Sequence, residues 1–360
     1  MMLALLVLTN ALAFECQKLY ADDYPLPPPS YIADYAVVDL PDVVVVRPMG
    51  AVFENGVTYN AFREIVSVAI RGRSKTYDHV IVVHTESLPT HFAGAAAFNM
   101  AYNNIHMRGT GERKVITPED DITAALWMNY LDYWDEEYWG DGLADWVFTH
   151  EMGHTWLAFP EFDNGSGPST DLLGRQLAHW SYFVNTPNSP MEGNSWIDNQ
   201  DGTFTTDMMA PRAFSTLDLY MMGLVTASDV EPFFYINNPD TDDLNAASSP
   251  EHRTREQDVT VSGTRVDLTV DDIIAVHGER QPTPAESQRY FSLLTVLVLG
   301  PTELVDNGVV GKVYGRQEQW SNAWSEYSGG VSLVDFTIGD EGWSLPPLPD
   351  EPALVPKDAR

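Results

Sequence analysis

Two histidines four residues apart with a glutamate between them, His150-Glu151-Met152-Gly153-His154, are the residues best suited to chemistry in this chain. On a helix, positions i and i+4 project from one face, so both rings can aim a nitrogen at one point about 2 Å from each. Glu151 cannot share that point but can stand beside it. A carboxylate so placed can take a proton from zinc-activated water and hand it to a leaving amine, while the ion polarises the scissile carbonyl. The pattern is short, and its bland reading is a pair of histidines satisfied by hydrogen bonds. Its setting favours the metal: an amphipathic helix that Asp141 or Asp145 can cap or charge and that Pro160 stops.

Two imidazoles do not complete a zinc site. His179, in LLGRQLAHWSYF, is the preferred third ligand because imidazole suits zinc, and that segment reads as a second helix. Glu161, Asp163 and Asp171 are the alternatives. Taken alone, His179 would read as a core histidine beside Trp180; the unfilled ligand position tips it towards function. Tyr220, Tyr182 and His106 are candidates to stabilise an oxyanion, with packing as the default reading of each. Calcium is a second candidate ion, in the oxygen-rich turns WIDNQDGTF or NNPDTDDLN, which read first as solvated turns.

The elements that must position these groups read as α+β. YAVVDLPDVVVV and HVIVVHT are β-branched runs that predict strands, with a helix in ENGVTYNAFREIVSVAI between them. AFNMAYNNIHM, residues 97–107, predicts a strand at a sheet edge. Residues 160–250 read as loops and short helices. VTVSGTRVDLTV predicts a hairpin; a capping box at Thr283-Pro284-Ala285-Glu286 predicts a helix through Leu297; RQEQWSNAWSEY predicts a helix that stops at Gly329-Gly330, and SLVDFTI a last strand.

The ends read differently. An apolar run followed by Ala11-Leu12-Ala13 predicts an export signal over 1–13, and Pro-rich segments follow at 14–30 and close the chain at 344–360. Between them the expected division is a catalytic body over 31–250 and an α/β section over 251–343 packed on it. Acidic residues outnumber basic ones by 52 to 20, for a net charge of −32, which excludes nucleic acid as an expected partner. One cysteine permits no intrachain disulfide. No segment beyond the leader approaches the roughly 20 apolar residues of a membrane span. A secreted protein is the expectation.

HEMGH within DWVFTHEMGHTWLAF resembles the active-site helix of the zincin metallopeptidases, and HEMGHTW is locally similar to the gluzincin form, with Trp two places after the second histidine. The resemblance implies a zincin-like fold, a helix beneath a mixed sheet, and an edge strand that pairs antiparallel with a peptide substrate; residues 97–107 are the candidate. It implies His150 and His154 as ligands and Glu151 as general base. The metzincin pattern would have Gly at 157 and His at 160, where this chain has Leu157 and Pro160. The gluzincin pattern wants a Glu further on, yet no Glu occurs between Glu161 and Glu192. Glu161 itself falls at a spacing similar to that of immune inhibitor A-type peptidases. SPMEGN, residues 189–194, resembles the Met-containing turn that floors metzincin sites, although core filler is the better reading in a chain with 12 methionines. The implied activity is zinc-dependent hydrolysis of peptide bonds by a secreted endopeptidase. Two alternatives stay open: a non-catalytic zincin-like binding or adhesion protein, and a zinc amidase acting on a non-protein substrate.

Overall fold

The computed structural model describes residues 29–32, 34–49, 58–73, 76–85, 96–101, 122–135, 142–250, 258–300 and 303–338. The expected leader, most of the first Pro-rich segment, the C-terminal tail and His106 lie outside them. The described residues form a mixed α+β architecture with five α-helices and three sheets.

The largest sheet begins with β1 (Ser30–Ile32), β2 (Tyr35–Leu40) and β3 (Val43–Pro48), successive antiparallel neighbours. After helix α1 (Tyr59–Ile70) come β4 (His79–His84), β5 (Phe98–Ala101) and β6 (Ala124–Tyr130). Much later in the chain β15 (Tyr290–Val298) enters between β3 and β4, parallel to both, so the order is β1-β2-β3-β15-β4-β6-β5. β16 (Leu333–Asp335) pairs with the first residues of β15. β6 runs parallel to β4, and β5 closes the edge antiparallel to β6.

Strands buried on both faces need apolar residues at every position, which is why VVVV and HVIVV show no alternation. Val44, Val46, Val80 and Val82 join Phe62 and Ile65 of α1 in one core. Their neighbours Val43, Val45, Ile81 and Val83 join the opposite core, which includes Phe148, Trp320 and Trp324. Those aromatic residues come from α2 (Leu143–Gly153) and α5 (Asn307–Tyr327), and the Phe148 and Trp320 rings stack at 5.1 Å. Helices therefore cover both faces, and α2 and α5 pack against each other on the same one, Gln317 of α5 donating to Thr295 of β15.

A second sheet fills the region that reads as loops. It comprises β9 (Trp180–Asn185), β10 (Glu192–Asn194), β11 (Trp196–Asp198), β12 (Thr203–Thr206), β13 (Phe233–Asp240) and β14 (Thr260–Leu268), in the order β10-β9-β13-β14-β12-β11. β7 (Phe162–Asp163) and β8 (Pro168–Ser169) form a small hairpin, and helices α3 (Thr216–Met222) and α4 (Val270–His277) flank the sheet. β10, β11 and β12 are three or four residues long and β7 and β8 only two, too short for periodicity to register.

Several sequence expectations are overturned. Residues 283–287 make one turn, with Glu286 N–H donating to Thr283, but the following segment is β15 and not a helix. YFSLLTVLV is β-branched and aromatic enough to serve as a strand buried on both faces, and tertiary burial outweighs one good cap. LLGRQLAHWSYF is a turn followed by β9: Gln176 and Leu177 adopt φ of 60° and 53°, which no helix tolerates. VTVSGTRVDLTV is a single strand, β14, paired with β13 and β12 rather than with itself. The histidine helix starts after Gly142 (φ 77°), with Asp145 in its first turn, and it ends at Gly153, well before Pro160.

Candidate metal centre

α2 presents His150, Glu151 and His154 at its C-terminal end, where His154 is the capping residue. His179 arrives from the other direction, on the turn just before β9. The turn is tight because Gly174 N–H donates to the His179 carbonyl at 2.8 Å. A Cβ on Gly174 would stand 2.6 Å from two carbonyl oxygens, those of Ala246 and Trp180, so glycine is required there.

The three rings meet. His150 Nε2 lies 3.1 Å from His154 Nε2 and 3.3 Å from His179 Nε2. Among the described residues, these three form the group of His, Cys, Asp and Glu side chains close enough to share a metal ion. His150 and His179 are buried and His154 is half-buried, so the group opens towards solvent on the His154 side.

Each ring's other nitrogen faces a backbone carbonyl: His150 Nδ1 that of Pro190 at 2.7 Å, His154 Nδ1 that of Leu157 at 3.1 Å, and His179 Nδ1 that of Arg175 at 2.9 Å. A carbonyl only accepts, so each Nδ1 carries the proton and each Nε2 turns a lone pair towards the others. Lone pairs at this range repel unless a positive charge stands between them. A proton suits that role poorly, because burial first, and then the neighbouring His154 and His179, hold His150 well below the usual histidine range. A metal ion fits the donor set, and the three carbonyls are the outer partners that orient histidine ligands.

Glu151 is buried beside this group. Burial pushes its carboxyl up to about 8, against the pull of the Arg175 charge and of the Asn99 backbone N–H; Glu192 pushes it further up. A cation among the imidazoles would add to the downward pull. Asn99 belongs to the edge strand β5, and its side-chain amide also donates to the Glu151 carbonyl at 2.8 Å. Sheet edge and helix are thus tied together at the glutamate.

The 189–194 turn lies directly below. Met191 is fully buried, and its sulfur would be 2.5 Å from a Cβ on Gly153, so the glycine next to His154 is what lets the methionine approach. Trp146 stacks on His150 at 5.0 Å. A buried carboxylate, Asp218, accepts from Trp180 Nε1 at 2.7 Å and closes a capping box with Ser215, fixing α3 against the start of β9.

The other expected site residues go elsewhere. Glu161 is half-buried and its backbone N–H donates to His277 Nε2 at 2.8 Å, while Asp163 and Asp171 are exposed. The Tyr220 hydroxyl accepts from the Arg280 backbone N–H at 2.9 Å, and Tyr182 is packed in the core of the second sheet with Trp196. In the WIDNQDGTF turn, Asp198 pairs with Arg265 at 3.1 Å and Asp201 accepts from the Thr203 N–H and hydroxyl. The Pro190 carbonyl, the Arg175–Glu192 pair and Asn99 were not identified from sequence. Backbone carbonyls leave no sequence signal, and an arginine paired with a buried glutamate reads like any two exposed charges.

Compared with protein families, curated proteins and solved structures, the chain matches none. Among the described residues no helix is long and apolar enough to cross a membrane.

Proposed function

We propose that this chain is an exported zinc-dependent peptidase with a zincin-like arrangement, in which His150, His154 and His179 hold the ion and Glu151 is the general base. The observation that carries this reading is the convergence of three imidazole Nε2 atoms within 4.8 Å of one another beside a buried glutamate. Nitrogens bound at about 2.0–2.1 Å to a tetrahedral zinc lie roughly 3.3–3.4 Å apart, close to the 3.1 and 3.3 Å separations here. A zinc ion held by His150, His154 and His179 would be reached from solvent on the half-buried His154 side.

When bound, zinc supplies Lewis acidity towards a carbonyl and draws the pKa of water down to near neutrality. The protein's own groups supply the rest. The Glu151 carboxylate would take a proton from the water whose oxygen adds to the carbonyl carbon, and would return it to the nitrogen as the C–N bond breaks. Among the described residues β5, tied to Glu151 through Asn99, is the antiparallel edge strand of its sheet, the kind of edge that an extended peptide substrate would pair with. Trp146 and the Pro190 carbonyl hold the His150 ring from behind, and Met191 packs against Gly153 beside His154.

The test is metal content and hydrolysis of an unfolded protein, measured together. Wild type should bind one equivalent of zinc and cleave. Glu151→Gln should keep the ion and lose cleavage by at least about two to four orders of magnitude. His179→Ala should lose the ion, and Glu161→Ala should keep it. Full zinc in His179→Ala, or undiminished cleavage by Glu151→Gln, overturns the assignment. Stoichiometric zinc without turnover on any protein would favour a binding protein or an amidase.

A further inference from the structure

The ion pair between Arg175 and Glu192 is not accounted for by metal binding or proton transfer. Arg175 donates through Nε at 2.8 Å and Nη2 at 2.5 Å to one oxygen of Glu192. The Glu192 side chain is 1% exposed, and that of Arg175 is 36% exposed. Both residues sit in segments that orient the histidines. The Arg175 carbonyl receives His179 Nδ1, and Pro190, two residues before Glu192, receives His150 Nδ1.

The turn that carries Glu192 is firmly held by its backbone, in part against the residue that follows His179. Glu192 has φ of 75°, a left-handed conformation that a glutamate adopts only when its surroundings dictate it. Its carbonyl accepts from the Thr186 hydroxyl at 2.8 Å, and Trp180 N–H donates to the Met191 carbonyl at 3.0 Å. By contrast the 175–177 segment is largely exposed, with Gln176 and Leu177 also at positive φ. At its Trp180 end the turn holding His179 is tied to this anchor by a backbone bond, and at its half-exposed Arg175 end the guanidinium fastens it to the same rigid, buried anchor. The same guanidinium lies near enough for its charge to be felt at His150 and Glu151.

Resting on the metal-centre reading above, we propose that Arg175 and Glu192 are positioning residues: their ion pair locks the turn that orients His179 to the turn that orients His150. The planar fork of arginine is what makes the clasp directional, and lysine can reach the same oxygen with a single ammonium but cannot fix an angle.

The experiment compares wild type with Arg175→Met, Arg175→Lys, Glu192→Gln and the Arg175→Met/Glu192→Gln double variant. It reads zinc affinity by competition with a chromophoric chelator, the visible absorption of the cobalt(II)-loaded protein, and the melting temperature of the metal-free protein. Arg175→Met and Glu192→Gln should each weaken zinc binding about 10- to 100-fold and shift the cobalt band. Arg175→Lys should recover part of the loss, and the double variant should be no weaker than the poorer single one. If zinc affinity and cobalt spectrum match wild type in both single variants while melting alone falls, the pair is an ordinary structural contact and the proposal is overturned. Should Arg175→Met not fold, Glu192→Gln, which preserves volume and one acceptor oxygen, carries the test. A wild type that takes up neither metal removes the metal centre and the brace together; a wild type that binds while the variants bind equally removes the brace alone.

Discussion

A histidine can offer a lone pair to a cation only if its proton is held elsewhere, and in this protein three carbonyls do the holding. Two further histidines make the contrast clear. His79 Nε2 lies 3.0 Å from Thr155 Oγ1, and His84 Nε2 accepts from Trp127 Nε1 at 2.9 Å, both in the fully buried strand β4. Burial holds each of them down to about 3. The unfolded chain takes up protons near the ordinary value of 6.5, and the folded one refuses them. Their contribution to stability is thus complete above about 6.5 and is lost as pH falls towards 3, at about 1.4 kcal/mol per pH unit for each. With chelator present to remove metal effects, the unfolding free energy of His84→Gln, from urea titrations between pH 6 and 4, should fall less steeply than that of wild type by about 1.4 kcal/mol per pH unit. Parallel slopes would contradict the assignment.

The elements bring these residues together through turns more than through helices. His150, Glu151 and His154 share one helix end, so their spacing was readable from the chain. His179 was selected by residue type and by a vacant ligand position, but its segment reads as a helix and is a turn leading into β9. The turn depends on Gly174, whose missing Cβ would face two backbone carbonyls that cannot retreat as a flexible side chain would. Gly174→Ala should cost about 1–3 kcal/mol in urea denaturation and lower zinc occupancy. Gly311→Ala, in α5 where a Cβ meets nothing within 4 Å, should instead stabilise by about 0.5–1 kcal/mol. Equal effects at the two glycines would show that packing at Gly174 is not the constraint.

At the scale of the whole molecule, the last third of the chain supplies the middle of the first sheet. β15 hydrogen-bonds β3 on one side and β4 on the other, and buried Thr295 accepts from Gln317 of α5 at 2.8 Å. α5 in turn supports α2 through Trp320 and Phe148. A chain ending at residue 250 would leave β3 and β4 with unpaired edges and α2 without its partner helix. It should show no cooperative thermal transition by circular dichroism and should bind no zinc. A cooperative melt with bound metal from that fragment would mean that the first 250 residues fold alone.

Spacing and residue type within a few residues carry the pair of histidines with their glutamate, the β-branched strands of the first sheet and α1; they put His179 ahead of the nearby carboxylates without closing that choice, which the meeting of the three rings narrows. Local rules misjudged residues 172–182 and 285–297, where burial in a sheet outweighed capping and helix-like composition. Which carbonyls orient the rings, the burial of Glu151 against the edge strand and the meeting of Arg175 with Glu192 follow from the folded chain alone. Those contacts join residues from separate segments of the chain, and their geometry is set by packing that no local pattern encodes.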